Sequence, residues 1–304
     1  MYCLWRSLLG KSLFCQGLLA WGDQGRNPGS QSPVPFPAMP AIQPARLRQQ
    51  AALLVEHFTS PPAFVRSLHH LLDYYADRAH RPGRSGEPAP LLAAYNVRPP
   101  VLRQILQELA PLVESEPQIA LSLSDALWEQ PYLEFRLLAA LLLGQISPQP
   151  PEPILARVQA WVKSDPQNRL IGALLSQGVA RVRNEKPDHL IHLVEVWLSS
   201  SDVFQQQLGL RTLVPMVKDL GFENLPAFFR LIQPLSRSVP PELRPDMLDV
   251  LRALAHRSPH ETAFHLRQFL ELPNSPDTPW LIRQCLQAFP LETQESLRAA
   301  LRAA

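Results

Sequence analysis

Residues 99–146 read PPVLRQILQELAPLVESEPQIALSLSDALWEQPYLEFRLLAALLLGQI, which is a run of short apolar segments divided by prolines. Leu102, Ile105, Leu106 and Leu109 recur at spacings of three and four residues, so they share one face of a helix. One short helix cannot bury such a stripe by itself, and each helix must therefore pack against its neighbours. About fourteen similar segments follow one another along the chain with no convincing β-strand, which predicts an all-α fold.

The spacing of these segments predicts a repeat architecture. Helix pairs recur about every 30 to 40 residues, as in HEAT-type repeats, and no exact repeated words appear. We therefore expect a HEAT-like α-solenoid of about seven antiparallel helix pairs whose concave surface is available for binding. Residues 41–304 are expected to form this single domain, and residues 1–40 a disordered leader or upstream extension.

Prolines punctuate the chain. There are 33 prolines among 304 residues, about twice the usual rate, and only 12 glycines. This composition indicates that proline starts and stops helices. Ser201-Asp202 and Ser258-Pro259 are typical helix starts, with an oxygen-bearing cap. The stretch from Arg81 to Pro90 is predicted to be a flexible loop.

Bulk charge and cysteine content limit the classes of function. The net charge of +2 is compatible with a nucleic-acid partner but does not require one. The three cysteines form no motif, which favours a reducing compartment, and we expect a cytoplasmic protein. Residues 1–21 are apolar but interrupted by Arg6 and Lys11, so no membrane span is expected.

One helix junction carries a family resemblance. Leu127-Trp128, Pro131 and Glu134 form an LW-x-x-P-x-x-E pattern, preceded by YNVRPPVLRQILQEL from Tyr95. This pattern resembles the bacterial DNA-alkylation-repair family of HEAT-like repeat proteins, the AlkD-type alkylpurine DNA glycosylases. The resemblance covers roughly residues 47–217 as motif. It implies a concave basic groove for duplex DNA and a catalytic aspartate framed by tryptophans.

The chain departs from that family at the implied catalytic motif. A Trp-Asp-x-Val-Asp segment should follow the helix ending near Lys163, but Leu170 to Gly172 occupy the expected aspartate position. The nearest acids, Asp165 and Asp202, are the two weak candidates for a displaced catalytic carboxylate. Loss of the carboxylate removes a charge-stabilising interaction that is commonly the largest contribution to catalysis. We therefore expect the fold without the standard glycosylase reaction.

Basic residues recur about once per helix and are the candidate DNA contacts. On a concave face they would neutralise a phosphate backbone without reading sequence. The alternative is that they are ordinary solvated charges balanced by the 27 acidic residues. The candidates are Arg98, Arg103, Arg136, Lys163, Arg169, Arg181, Arg183 and Arg211, and Arg244 continues the series.

Other chemistry is not indicated. His189 and His192 share a helix face but have no third ligand nearby, so we expect no metal site, and no cofactor motif is present. The apolar neighbours of Trp128, Trp161 and Trp197 favour core packing over base stacking. Cys285 is expected to be a buried small apolar residue.

Three functional hypotheses follow. The first is a DNA-binding, alkylation-repair-like protein with weak or absent base excision, which predicts salt-dependent binding to duplex DNA. The second is a protein-interaction scaffold that uses the concave surface for a helix or peptide. The third is an active alkylpurine glycosylase that employs Asp165 or Asp202.

Overall fold

The computed structural model describes residues 43–77, 92–164 and 168–303, and every extended regular element within them is helical. The one strand-like pairing in those ranges is an isolated parallel bridge between Ala93 and Tyr132. The all-α prediction is therefore confirmed. The predicted leader at residues 1–40 and the predicted loop from Arg81 to Pro90 lie outside the described residues.

The first eight helices carry the resemblance motif and the segment after it. Their bounds are α1 (Pro44–Val55), α2 (Pro61–Tyr74), α3 (Pro99–Ser115), α4 (Pro117–Trp128), α5 (Leu133–Leu143), α6 (Glu152–Ser164), α7 (Asn168–Ala173) and α8 (Ala180–Glu185). A π-helical turn at Leu174–Gly178 joins α7 to α8.

The remaining helices complete the described chain. They are α9 (Pro187–Leu198), α10 (Val203–Lys218), α11 (Leu225–Arg237), α12 (Arg244–Arg257), α13 (Pro259–Glu271), α14 (Thr278–Cys285) and α15 (Leu291–Ala303). Short 3₁₀ turns at Pro241–Leu243 and Leu286–Ala288 precede α12 and follow α14.

Prolines begin many of these helices, as predicted. Helices α1, α2, α3, α4, α9 and α13 each start at a proline, where the missing N–H would have had no helical partner. The prediction was incomplete, because Pro111, Pro215 and Pro234 lie inside α3, α10 and α11. An internal proline removes one helical hydrogen bond, and these three helices continue through that loss.

The helices divide into two sets by their contacts. The first set runs along the chain from α1 to α14. In it, α1 contacts α3, α3 contacts α5, and α5 contacts α7 and the π-helical turn. That turn contacts α8 and α10, α10 contacts α12, and α12 contacts α14, so α8 belongs to the first set. The second set comprises α2, α4, α6, α9, α11, α13 and α15. In it, α2 contacts α4, α9 contacts α11, and α11 and α15 both contact α13. Helix α6 joins this set through the stacked rings of Trp128 and Trp161, which link it to α4. Contacts between α4 and α5, and between α9 and α10, join the two sets.

One continuous apolar core lies between the sets. Phe64, Phe135 and Phe228 are fully buried, and the stripe predicted from Leu102 to Leu109 is buried throughout. Each fully buried side chain of this size contributes roughly 1.5–3 kcal/mol relative to exposure. Packing of the amphipathic faces therefore holds these short helices together.

Gly144 fixes the spacing between α5 and the π-helical turn. A Cβ added at Gly144 would lie 1.8 Å from the carbonyl oxygen of Gln177 and 2.8 Å from its carbonyl carbon. Only glycine permits this approach of two backbones. By contrast, a Cβ added at Gly172 meets nothing within 4 Å.

None of the described helices is both long enough and apolar enough to cross a bilayer.

Candidate nucleic-acid interface

Glu134, the acid of the sequence motif, holds the segment that leads into α3. It lies in the first turn of α5 and is only 4% exposed. Its carboxylate accepts backbone N–H groups from Tyr95 at 3.0 Å and from Asn96 at 2.7 Å. Asn96 has a φ of 54°, a left-handed conformation that asparagine tolerates better than most residues. The buried carboxylate therefore fixes the start of α3 and, with it, the position of Arg98.

An aromatic cluster surrounds that attachment point. Tyr95 and Tyr132 stack with ring centroids 5.0 Å apart, and the Tyr95 hydroxyl lies 2.7 Å from Nδ1 of His69. Burial, followed by the influence of Tyr132 and nearby acids, raises the pKa of Tyr95 to about 12. Tyr95 is therefore a neutral phenol near pH 7 and can donate its O–H to His69.

The motif tryptophan belongs to the core. The rings of Trp128 and Trp161 stack with centroids 4.5 Å apart and planes 4° from parallel, and both side chains are buried. The guanidinium of Arg136 lies over the Trp128 ring at 5.3 Å, and Arg136 donates Nε–H to the carbonyl of Gln130. Trp197 is buried as well. The prediction that these three tryptophans pack in the core is confirmed.

Helix α7 occupies the place where the resemblance implies a catalytic carboxylate. Leu170 and Ile171 are fully buried, and Gly172 is exposed. The Gly172 carbonyl accepts a hydrogen bond from the hydroxyl of Ser176 at 2.6 Å. At Gly172 the exposed surface of this helix therefore offers only backbone atoms and no side chain. Arg169 lies one turn earlier on the same helix.

Of the two candidate carboxylates, Asp165 lies outside the described residues. Asp202 is the N-cap of α10, and its side chain accepts the backbone N–H of Phe204 at 3.0 Å. The predicted helix start at Ser201-Asp202 is confirmed, and the cap gives Asp202 a structural role. Its proposed catalytic role stays a prediction.

Arg181 ties three parts of the first set together. It donates hydrogen bonds to Glu114 at the end of α3, to the carbonyl of Gln145 after α5, and to Glu185 on its own helix. These carboxylates raise the pKa of Arg181 further above its usual value, with Glu114 the largest cause. In return, the Arg181 hydrogen bond lowers the pKa of Glu114.

Arg183 and Arg211 also bind acids on neighbouring elements. Arg183 contacts Asp219 at 3.4 Å and donates to the carbonyl of Ser176 at 2.9 Å, and burial lowers its pKa. Arg211 on α10 donates Nε–H to Asp246 on α12 at 2.9 Å. Such pairs link successive helices of the first set, a role that a count of arginines along the chain does not reveal.

The other candidate cations lie nearer the beginning of the chain. Arg98 is the exposed N-cap residue of α3, and Arg103 is half-buried one turn into that helix. Lys163 is exposed in the last turn of α6, and Arg169 is exposed in the first turns of α7. Lys163 and Arg169 flank residues 165–167 in the sequence. Ser164, next to Lys163, accepts the Trp128 indole N–H at 3.3 Å, so the end of α6 lies near the Trp128–Trp161 stack.

Charge is distributed unequally between the two helix sets. The first set carries thirteen Arg and Lys residues and six Asp and Glu residues, a net charge of +7. The second set carries eight Arg and Lys residues and nine Asp and Glu residues, a net charge of −1. The excess positive charge of the described helices therefore lies on the first set.

Potential metal ligands are not clustered in the described part of the chain. It contains no group of three or more His, Cys, Asp or Glu residues that could hold a metal ion. His189 lies 3.8 Å from Glu152, and His192 lies 3.8 Å from Glu195. Cys285 is buried, as predicted, and burial raises the pKa of its thiol to about 12.

Several residues escaped the sequence reasoning. Asp246 binds Arg211, and Asp277 binds Arg244. Each aspartate lies at the start of a helix with a proline close by in the sequence, and this pattern could have identified both acids. Gly144 left no such signal, because only the fold brings Gln177 against it.

A family model described as DNA alkylation repair enzyme matches residues 89–289, about two thirds of the chain. No curated protein matches the chain. The match includes the Glu134 attachment, the tryptophan stack and the first-set helices from α3 to α14. The chain therefore belongs to the DNA alkylation repair enzyme family.

Proposed function

We propose that this protein is a HEAT-like solenoid of about seven helix pairs that binds duplex DNA on its first helix set and lacks the standard glycosylase reaction. The contacts between alternate helices support stacked pairs. Residues 41–304 form the single solenoid domain in this proposal. The three cysteines, which form no motif, favour a cytoplasmic location.

The unequal charge of the two helix sets carries the DNA-binding part of the proposal. A net charge of +7 on one set, against −1 on the other, suits a polyanion that approaches from one side. Helices α3 and α12 also begin near Arg98 and at Arg244, so the positive ends of their dipoles add to the side-chain charge.

Such a surface would recognise the DNA backbone. Arginine contacts to phosphates release counterions, and they fix the position of a protein on the duplex without reading its sequence. Duplex shape, and the ease with which damaged DNA deforms, would then decide which sites are bound.

The geometry at Gly172 supports the absence of the standard reaction. The implied carboxylate would stabilise positive charge on the sugar as the base departs. Helix α7 carries no acid, and the nearby described side chain at Arg169 is a cation that would oppose such charge. Loss of a single hydrogen-bond donor that stabilises transition-state charge typically costs a factor of about 10²–10³ in rate, and we expect loss of the carboxylate to cost a comparable factor.

Two assays test the proposal. Fluorescence anisotropy with a short labelled duplex should give binding that weakens steeply as salt rises. Each neutralised phosphate makes the slope of log K against log salt more negative by about 0.9. Equal binding at low and high salt, or none at either, would refute DNA binding. Release of a methylated base from alkylated duplex, abolished by Asp202→Asn or Asp165→Asn, would instead establish an active glycosylase.

A further inference from the structure

The arginine–carboxylate pairs of the first set fall into two classes by the exposure of their side chains. In the Arg181–Glu114 pair the arginine is 25% exposed and the acid 63%, and in Arg183–Asp219 the values are 14% and 27%. The acid is therefore the more exposed member of each of these two pairs. An outer acid would repel a phosphate that approached either guanidinium.

Two pairs have the opposite order. Arg211 is 29% exposed and its partner Asp246 only 13%, and Arg244 is 38% exposed against 22% for Asp277. In these pairs the arginine is the more exposed member. We call Arg211 and Arg244 the outward arginines.

The outward arginines are held by neighbouring elements. Asp246, in the first turn of α12, accepts the Nε–H of Arg211 from α10 at 2.9 Å. Asp277, the N-cap residue of α14, lies 3.4 Å from Nη2 of Arg244 and also accepts the backbone N–H of Val239 at 2.8 Å. Each aspartate therefore anchors an arginine from the preceding first-set helix.

Arg244 has a second support. Its guanidinium lies over the ring of Trp280 at 4.9 Å, which restricts the orientation of its plane. A guanidinium restricted in this way loses less conformational freedom when it binds a ligand, and the gain appears as affinity.

We propose that Arg211 and Arg244 form a phosphate-binding site for one strand of duplex DNA, and that Asp246 and Asp277 are its positioning residues. The inference rests on the proposed function and deepens it. Phosphate is the fitting ligand because a guanidinium binds it through paired N–H groups, and because the N-terminus of the fourteen-residue helix α12 begins at Arg244.

Substitution of the aspartates separates positioning from simple electrostatics. Asp246→Asn removes a negative charge, so a protein that merely attracts DNA by net charge would bind more tightly. If Asp246 positions Arg211, the variant should bind an unmodified duplex about three- to tenfold more weakly, like Arg211→Gln, which should also reduce the salt slope by about one. Fluorescence anisotropy over a range of salt concentrations measures both quantities.

Asp249→Asn is the matched control. Asp249 is on the same helix α12 and pairs with Arg252, but this acid is the outer member, 61% exposed against 45% for the arginine. Its neutralisation should leave the affinity unchanged or raise it slightly. Thermal unfolding of each variant shows whether the protein is folded, and Asp277→Asn provides the same test if Asp246→Asn does not fold.

The outcomes are distinct. Weaker binding by Asp246→Asn or Asp277→Asn, together with unchanged or tighter binding by Asp249→Asn, supports the site. If the wild-type protein binds with steep salt dependence and all three variants bind equally or more tightly, the inference is wrong while the proposed function stands. If the wild-type protein does not bind duplex DNA at all, both fail.

Discussion

Gly144→Ala is the sharpest test of how the first set is packed. The new Cβ would lie 1.8 Å from the Gln177 carbonyl oxygen, and both groups belong to backbone. The π-helical turn at Leu174–Gly178 would have to move by more than 1 Å, since an ordinary carbon–oxygen contact is roughly 3.3 Å. Overpacking costs typically 1–3 kcal/mol, and because no side chain can relieve this contact we expect about 3 kcal/mol.

That destabilisation is large enough to measure directly. At about 2–4 °C per kcal/mol, Gly144→Ala should lower the melting temperature by roughly 6–12 °C, as followed by far-ultraviolet circular dichroism. Gly172→Ala is the matched control, because its Cβ meets nothing within 4 Å and alanine favours a helix by up to about 1 kcal/mol. A Gly144→Ala protein as stable as the wild type would refute the close approach of α5 to the π-helical turn.

Three further predictions concern named side chains. Glu134→Gln places an amide against two backbone N–H donors, and it should lower the free energy of unfolding in urea by about 2–3 kcal/mol. An unchanged urea midpoint would show that the buried carboxylate is unimportant. Arg181→Met should lower the free energy of unfolding by about 1 kcal/mol at neutral pH. Arg181 lowers the pKa of Glu114, so the stabilisation from this pair is present above the ordinary pKa of a glutamate and is lost as pH falls through the lowered pKa. The difference in unfolding free energy between wild type and variant should therefore narrow in acid. In a Cys3→Ser/Cys15→Ser variant, the remaining buried Cys285 should react with a thiol reagent at neutral pH only after unfolding, and rapid reaction of the folded protein would contradict its burial.

Much of the fold could be predicted from local pattern. The spacing of Leu102 to Leu109 and the prolines at helix starts report short-range properties of the chain, and both gave the correct helices. The prolines inside α3, α10 and α11 could not be predicted in this way, because packing against other helices outweighs the loss of one hydrogen bond. Tertiary contacts decided those positions.

The candidate site was less predictable, because its arginines depend on distant partners. Arg181 is 67 residues from Glu114, and Arg211 is 35 residues from Asp246. A single sequence shows that these arginines recur but not which acids they bind or which member of each pair faces solvent. The motif at Glu134 identified the family, whereas the role of that carboxylate required the positions of Tyr95 and Asn96.

The central claim is that duplex DNA binds the first helix set, and arginine footprinting tests it most directly. The protein would be treated with a guanidine-modifying reagent with and without a saturating duplex, and the modified residues identified by mass spectrometry. The account predicts protection of Arg98, Arg169 and Arg211, with unchanged modification of the second-set residues Arg298 and Arg302. Protection confined to the second set, or modification unaffected by bound duplex, would contradict it.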